Sequence, residues 1–362
     1  MSMKHGGDTL TYGDIYAGPI IDFSSNVNPL GYPKGLEFEW MKGFEDLRAY
    51  PDIKYRALRK SVGDYLGADP EQIVVGNGSM ELIDAMIARY SVVQFFQPSF
   101  GEYEARAKIR NKSIVSIAME DANEVDFDVL GENIREESLF ILGNPNNPTG
   151  YRMSKENLLK FYQMIREKNA VLVLDEAFFE FCEPDYDSID LFSPYGFENV
   201  LVVRAATKFF GLPGVRLGYG CTSLDLAKKI REDLNPWSVN AFAEIAGRYI
   251  FKCQDFIDQS KAYIKEERDY LLGELRQFED LEVYESKANF ILIKLLKHKE
   301  TQVLQFFLER GLLIRTCQSF AGLEDQHIRV AVRSHEDNEK LIEVFKELFK
   351  EDVDVYQGAN ED

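Results

Sequence analysis

Lys208 is the residue whose position first suggests chemistry. It follows the apolar run Leu201-Val202-Val203, and Thr207 stands directly before it. A lysine is rarely found beside a buried strand unless its amine is paired or reacts with a ligand. Burial also lowers the pKa of an amine, which makes the neutral, nucleophilic form available near neutral pH. Lys208 is therefore a candidate for covalent catalysis, and the plain alternative is an exposed strand end.

Three other stretches place polar residues directly after apolar runs. Asp175 ends the run VLVLD, Asn147 stands in GNPNNPTG, and the segment Gly78-Ser79-Met80 opens a helical pattern after Ile73–Val75. Open α/β sheets build their sites beyond the carboxyl ends of their strands, and a helix N-terminus attracts phosphate. The sequence therefore predicts one site at this edge. The alternatives are a turn or helix cap for Asp175 and a plain turn for Asn147.

The elements that must position these residues alternate between strand and helix from Ile73 to Val203. Near-continuous apolar strands between amphipathic helices predict a largely parallel sheet covered by helices on both faces. We assign residues 45–238 to this large α/β domain and residues 239–350 to an interdomain helix and a small α+β domain. Residues 1–44 are predicted to join the small domain, and the acidic tail 351–362 is predicted to be disordered.

Composition excludes several classes of protein. The chain has 362 residues and a formal net charge of −19, which argues against nucleic-acid binding. Its four Cys form no CxxC pair and its four His show no ligand spacing, so we expect reduced thiols, a cytoplasmic location and no metal site. No apolar run reaches the roughly 20 residues that span a membrane. In so acidic a chain, the arginines near predicted strand ends could hold anions or could form ordinary ion pairs: Arg216, Arg315, Arg329 and Arg333.

Taken together, these motifs resemble those of the fold-type-I pyridoxal-phosphate (PLP) enzymes, the aspartate aminotransferase superfamily. The resemblance runs over nearly the whole chain. It implies an aspartate aminotransferase-like fold, PLP as the cofactor, and Lys208 as the residue that holds the cofactor's aldehyde. Asp175 would pair with the ring nitrogen, so that the ring draws electrons from the substrate's Cα, and Asn147 would donate to the phenolic oxygen.

The resemblance also implies roles for residues around the ring. The cofactor phosphate would lie among Gly78, Ser79, Met80, Thr207 and Arg216. Phe100 would stack on the ring, with core packing as its alternative, while Tyr103 would line the same wall and contact the substrate. Tyr50 matches a tyrosine that the superfamily sends from the partner subunit to the cofactor phosphate, so a homodimer with shared sites is expected.

Within the superfamily the chain resembles the histidinol-phosphate aminotransferases and, most closely, the L-threonine-O-3-phosphate decarboxylases of cobalamin biosynthesis. The resemblance is carried by HGGD, DFSSNVNPLG and NPWSVNA. It is also carried by Phe178, a predicted cofactor contact at a position where the aminotransferases usually have Tyr. It implies that His5, Asn26, Arg315 and Arg329 contact the substrate's phosphate and carboxylate. The segment after HGGD is shorter than usual, and Ala205 replaces a hydroxyl residue that often supports the cofactor phosphate.

These observations favour a PLP enzyme that decarboxylates L-threonine O-3-phosphate to aminopropanol phosphate. The first alternative is an aminotransferase of the histidinol-phosphate type, which passes the amino group to 2-oxoglutarate. A ligand-sensing module of a DNA-binding regulator is disfavoured by the acidic charge and by the lack of a basic winged-helix segment. The remaining alternative is an α/β protein without a cofactor.

Overall fold

The computed structural model describes residues 5–13, 15–16, 18–119, 125–323 and 325–358. The strands are β1 (Ile21–Asp22), β2 (Ile73–Asn77), β3 (Val92–Gln97), β4 (Ser113–Ala118), β5 (Leu139–Gly143), β6 (Val171–Asp175), β7 (Val200–Ala205), β8 (Leu217–Thr222), β9 (Leu281–Val283), β10 (Phe290–Leu295), β11 (Leu312–Leu313), β12 (Arg315–Thr316) and β13 (His327–Ala331).

Helices cover these strands. The α-helices are α1 (Thr9–Tyr12), α2 (Leu36–Lys42), α3 (Arg56–Leu66), α4 (Ser79–Arg89), α5 (Glu102–Ile109), α6 (Phe127–Asn133), α7 (Lys155–Glu167), α8 (Ser188–Phe192), α9 (Leu224–Asp233), α10 (Ala241–Ile250), α11 (Gln254–Leu275), α12 (Glu300–Leu308) and α13 (His335–Gly358). Within the described ranges, no helix is long and apolar enough to cross a membrane.

The large sheet has seven strands in the order β2-β8-β7-β6-β5-β3-β4. The neighbours from β7 to β4 are parallel, and β8 is antiparallel to both β2 and β7. The carboxyl ends of β3, β5, β6 and β7 therefore meet at one edge. This is the aspartate aminotransferase-like α/β fold that the sequence predicted.

Both faces of the large sheet are buried, which explains why its strands are apolar at consecutive positions. Along β5, Ile141 packs with Val173 and helix α4 on one face. Its neighbours Phe140 and Leu142 pack on the other face against residues of α7 such as Phe161. Because successive side chains of a strand point to opposite faces, a sheet with one solvated face would alternate apolar and polar residues instead.

A second, antiparallel sheet has the order β12-β13-β10-β9. Near it, β1 pairs in parallel with β11, and the amide of Ala331 at the end of β13 donates to the Phe23 carbonyl at 2.8 Å. The segment after β1 is thus held against the small sheet, and from there it runs on toward the edge of the large sheet.

Three elements differ from the sequence interpretation. The helical stretch predicted from about Val239 to Phe278 is two helices, α10 and α11, separated at residues 251–253. The apolar run after Arg216 is the antiparallel strand β8, whereas only the parallel strands had been foreseen. The last helix continues to Gly358, into the tail that was predicted to be disordered. The final residues 359–362 lie outside the described part of the chain.

Candidate active site

A cavity of about 350 Å³ opens at the carboxyl edge of the large sheet, facing the small sheet. It brings together most of the residues predicted from the sequence. Those that line it are His5, Asn26, Ser79, Met80, Phe100, Tyr103, Asn147, Asp175, Phe178, Thr207, Lys208, Arg216, Arg315 and Arg329. Gly78 and Tyr50 are not among the residues that line it.

Lys208 stands in the loop that follows β7, with its backbone carbonyl accepting a hydrogen bond from the Asn28 amide at 3.0 Å. This contact fixes the loop against the N-terminal segment. Burial, reinforced by the nearby charges of Arg329 and Arg216, lowers the pKa of the Lys208 amine to about 8. A large share of the amine is therefore neutral at mildly alkaline pH, as a nucleophilic lysine requires.

Asp175 ends β6 and is only 7% exposed. The Tyr103 hydroxyl donates to its Oδ2 at 2.7 Å, and the Ala177 amide donates to its Oδ1 at 3.1 Å. Burial raises the pKa of this carboxyl, and the two donors oppose that rise because they stabilise the anion. An acceptor held in this way suits a protonated ring nitrogen.

An anion cradle forms where α4 begins, and we use this term for Gly78, Ser79 and Arg216. Gly78 has φ +77°, and a Cβ there would come within 2.5 Å of Arg216 Nη2. A Cβ at Gly218 would lie 2.3 Å from the Ser79 amide nitrogen. Both glycines therefore allow the guanidinium and strand β8 to approach the helix N-terminus, where free amides and the helix dipole favour phosphate.

Arg216 itself has φ +62°, a left-handed conformation that costs a residue with a side chain of order 1–3 kcal/mol. Its backbone carbonyl accepts a hydrogen bond from the Gly78 amide at 3.0 Å. The strained backbone thus ties the arginine to the start of α4. Such outliers gather at ligand sites, which fits a role in phosphate binding.

Asn147 and Arg329 meet across the cavity. One guanidinium nitrogen of Arg329, Nη1, donates to Asn147 Oδ1, and Nη2 donates to the Ser24 carbonyl at 2.9 Å. The remaining nitrogen, Nε, is buried and has no hydrogen-bond partner among the described residues. Burial lowers the pKa of Arg329 to about 10, so the guanidinium is still charged at neutral pH.

The other predicted substrate contacts surround this pair. Arg315 is 2% exposed and donates from Nη2 to Ser319 Oγ at 2.8 Å. Asn26 is buried, and its Oδ1 has no hydrogen-bond partner within the described ranges. His5 lies at the cavity mouth, with Nε2 3.1 Å from Glu102 Oε1. Arg315 and Arg329 thus provide positive charge and hydrogen-bond donors for a polar substrate, and Asn26 Oδ1 provides an acceptor that is not yet hydrogen-bonded.

Two aromatic rings form walls of the cavity. Phe100 is half-buried and meets the Tyr103 ring edge-on, with centroids 5.6 Å apart. Phe178 is buried and packs edge-on against Phe290 at 4.9 Å. Phe100 thus lines the cavity and also packs against Tyr103. Its predicted stacking on the cofactor ring stays a prediction.

Tyr50 is 81% exposed in the single chain and stacks on Trp237, with ring centroids 4.8 Å apart. It is not among the residues that line the cavity of its own chain. Its predicted contact with a partner subunit's cofactor therefore stays a prediction.

Sequence reasoning missed several polar residues that line the cavity: Ser24, Ser25, Glu102, Glu104 and Ser319. Ser24 Oγ accepts a hydrogen bond from the Gly7 amide at 2.8 Å and so holds the N-terminal segment over the site. The turn-rich run DFSSNVNPLG was the available signal, since an ordered loop with many Ser and Asn exposes many donors and acceptors.

The residues present fit PLP. Lys208 would supply the amine, Asp175 an acceptor for a ring nitrogen and Asn147 an amide for a ring oxygen, and residues of the anion cradle line the same cavity. The described residues contain no group of three or more His, Cys, Asp or Glu arranged to hold a metal ion. The buried acceptor on Asn26 and the donor on Arg329 leave polar atoms for a further ligand beside the cofactor.

Comparison with known proteins agrees with this geometry. Residues 19–345 match the family described as aminotransferase class I and II. The chain is 39% identical to a provisionally named threonine-phosphate decarboxylase of Caldanaerobacter subterraneus, over 97% of this chain and 95% of that protein. Its fold is similar to that of the histidinol-phosphate aminotransferase from Clostridium acetobutylicum, with a TM-score of 0.85 and 34% sequence identity. This match covers 90% of the present chain and 98% of the other chain. The fold is also similar to that of L-threonine-O-3-phosphate decarboxylase from Porphyromonas gingivalis, with a TM-score of 0.79 and 25% sequence identity. That match covers 91% of the present chain and 99% of the other chain.

Proposed function

Because the chain belongs to the class I and II aminotransferases, a family of fold-type-I PLP enzymes, we propose that it decarboxylates a phosphorylated amino acid, L-threonine O-3-phosphate. The observation that carries the proposal is the meeting of Lys208, Asp175 and two buried arginines in one cavity. Its relatives named for this reaction support the choice of substrate. The product is aminopropanol phosphate, as needed for cobalamin biosynthesis.

Each residue has a separate task. When bound, PLP supplies an electron sink for the bonds at the substrate's Cα. Lys208 would hold the cofactor's aldehyde through its neutral amine and would afterwards move a proton at the substrate's Cα. Asp175 would hold the proton on the ring nitrogen, and Asn147 would donate to the phenolic oxygen. The anion cradle, together with Thr207 and Met80, would bind the cofactor phosphate, and Phe100 would cover the ring.

The arginines determine which bond breaks. Only a Cα bond perpendicular to the ring plane overlaps the π system, so the choice between CO2 loss and proton loss is a matter of positioning. Arg329 binds the substrate carboxylate, and Arg315, Asn26 and His5 bind its phosphate. Arg329 is 5% exposed and Arg315 is 2% exposed, so their charges are screened little by water.

The active unit in this proposal is a homodimer. Exposed apolar side chains gather on α2, the turn after it and the following loop: Phe38, Met41, Phe44, Leu47, Tyr50 and Ile53. A surface of this kind usually marks an interaction site. A second copy placed here would cover these side chains, and Tyr50 would then reach the partner's cofactor phosphate. Arg216 of the anion cradle is exposed in the single chain, which leaves room for such a contact.

The second candidate is an aminotransferase of the histidinol-phosphate type. The similarity to the Clostridium acetobutylicum structure favours it. The residues that hold the cofactor would be the same, and the substrate's hydrogen rather than its carboxylate would stand perpendicular to the ring.

The deciding experiment incubates the purified protein with PLP and either O-phospho-L-threonine or histidinol phosphate, each with and without 2-oxoglutarate. Stoichiometric release of CO2 without 2-oxoglutarate supports the decarboxylase. Formation of glutamate with no CO2, or turnover of histidinol phosphate alone, would establish the aminotransferase instead. Lys208→Ala should abolish turnover. Lys294→Ala, which removes an exposed lysine paired with Glu282, should not change it.

A further inference from the structure

Tyr103 makes a contact that its predicted role, a wall beside the substrate, does not explain. Its hydroxyl is directed at Asp175 and donates to Oδ2 at 2.7 Å. The tyrosine is 2% exposed, so this hydrogen bond is shielded from water. Shielded hydrogen bonds to a charged acceptor are among the stronger ones in proteins.

The ring of Tyr103 is held in place from two sides. Phe95 on β3 lies behind it at a centroid distance of 6.5 Å, and Phe100 meets it edge-on at 5.6 Å. Tyr103 also stands at the start of α5, whose first residue is Glu102. With little room to turn, the hydroxyl remains at the carboxylate. Tyr103 thus connects the residue proposed to cover the cofactor ring with the residue proposed to pair with its nitrogen.

Asp175 depends on such support because it is buried at the end of β6. Burial favours its neutral form, and a neutral carboxyl could not hold a proton on the ring nitrogen. Its two described hydrogen bonds come from the Ala177 amide and from Tyr103, one on each oxygen. Burial and the charge of Asp175 also keep the pKa of Tyr103 well above its usual value, so its hydroxyl stays protonated and can donate to the carboxylate.

We infer that Tyr103 is a positioning residue for Asp175: its hydroxyl keeps the carboxylate ionised and fixes the direction of the lone pair that faces the cofactor nitrogen. The inference rests on the proposed pairing of Asp175 with that nitrogen. It assigns Tyr103 to the cofactor rather than to the substrate. Tyr103 is the only described side chain for which a hydrogen bond to Asp175 is seen in this structure.

The test is Tyr103→Phe, which removes a single oxygen and leaves the ring. Loss of a hydrogen bond to a charged group should weaken PLP binding about tenfold or more. The pH midpoint of the bound cofactor's visible absorption should also move upward, because a less protonated ring withdraws fewer electrons from the carbon bound to Lys208. With saturating PLP, kcat should fall while the substrate KM stays within about twofold, since Tyr103 does not hold the substrate.

Tyr162→Phe is the matched control. Tyr162 is also fully buried, and its hydroxyl donates to the Glu198 carbonyl at 2.6 Å, outside the cavity. This variant should keep the wild-type PLP affinity and absorption midpoint. Thermal unfolding of both variants without PLP measures how much stability each substitution removes by itself. If Tyr103→Phe does not fold, Phe95→Leu is the second variant. It keeps the Tyr103 hydroxyl but removes the aromatic ring that packs against Tyr103, so severalfold weaker PLP binding is expected.

The outcomes separate this inference from the proposed function. If wild type and Asp175→Asn differ in PLP affinity but Tyr103→Phe behaves as wild type, the inference is wrong and the assignment of Asp175 stands. If Tyr103→Phe raises KM and leaves the absorption midpoint unchanged, Tyr103 is a substrate contact and the inference is again wrong. If Asp175→Asn leaves both the PLP affinity and the midpoint unchanged, the proposed pairing itself fails.

Discussion

Arg329 donates a hydrogen bond from Nη1 to Asn147 Oδ1 and so connects β13 of the small sheet to the loop after β5 of the large sheet. Arginine can only donate, so the oxygen of the amide must face it. The Nδ2 group of Asn147 is therefore turned away from Arg329 and remains available as a donor. One side chain of the small sheet thus orients an amide that we assign to the cofactor.

Asn147→Asp should keep the contact with Arg329 and lose the amide donor. A second carboxylate oxygen would then face the cofactor's phenolic oxygen, so PLP affinity should fall about tenfold or more. Titration of the cofactor's visible absorption measures this. Asn111→Asp adds the same charge at an exposed position and should have no effect. Wild-type affinity in Asn147→Asp would show that the amide does not contact the cofactor.

The rate at which PLP becomes covalently attached should depend on pH through Lys208. Only the neutral amine reacts, and the folded protein lowers the pKa of this amine from 10.5 to about 8. Below pH 8 the observed rate should therefore rise about tenfold per pH unit, and above pH 8 it should level off. Stopped-flow absorbance at fixed PLP concentration gives the profile. A rate that keeps rising to pH 10 would mean that the site does not lower this pKa.

Met41→Glu should convert the protein to monomers and weaken cofactor binding. Met41 is 66% exposed on α2, within the apolar surface that we assign to the second copy. A charge buried in that contact carries a desolvation cost, and separation would also remove the partner's Tyr50 from the site. Sedimentation velocity gives the mass, and absorbance gives the PLP affinity. The control is Leu224→Glu, because Leu224 is 53% exposed but lies on α9, outside this apolar surface. This substitution should change neither the mass nor the PLP affinity.

Arg204→Ala should lower the free energy of unfolding by about 3–5 kcal/mol, because it strips a partner from a buried carboxylate. Arg204 donates from Nε to Glu176 Oε2 at 2.9 Å, and the two side chains are 3% and 0% exposed. Urea unfolding measures the loss. Arg166→Ala breaks an exposed pair with Glu198 and should cost less than about 1 kcal/mol.

The same variant should show a pH dependence. Burial raises the pKa of Glu176 to about 7 even with Arg204 beside it, so without the arginine this pKa rises further. The folded state then retains a proton that the unfolded chain has lost, and stability falls as pH increases above about 5. The difference between Arg204→Ala and wild type should therefore be larger at pH 8 than at pH 5. An equal difference at both pH values would contradict this account.

Much of the site could be predicted because its residues follow strands that are easily recognised. Lys208, Asp175 and Asn147 each come directly or closely after an apolar run, and parallel strands bring their carboxyl ends to one edge of a sheet. The glycine of Gly78-Ser79-Met80 marked the start of α4 for the same local reason. The elements that were misjudged, β8 and the break between α10 and α11, carry apolar patterns that leave strand direction and helix length open.

The sequence by itself determined the fold class, the family and the edge at which a cofactor would be held, since periodicity and local motifs act over a few residues. Only the tertiary structure decided which side chains support one another there. Tyr103 reaches Asp175 across 72 residues, and Arg329 reaches Asn147 across 182. Such contacts depend on how α5 is rotated against β6 and how the small sheet is placed over the large one. Packing of the whole chain sets those relations, and no local pattern encodes them.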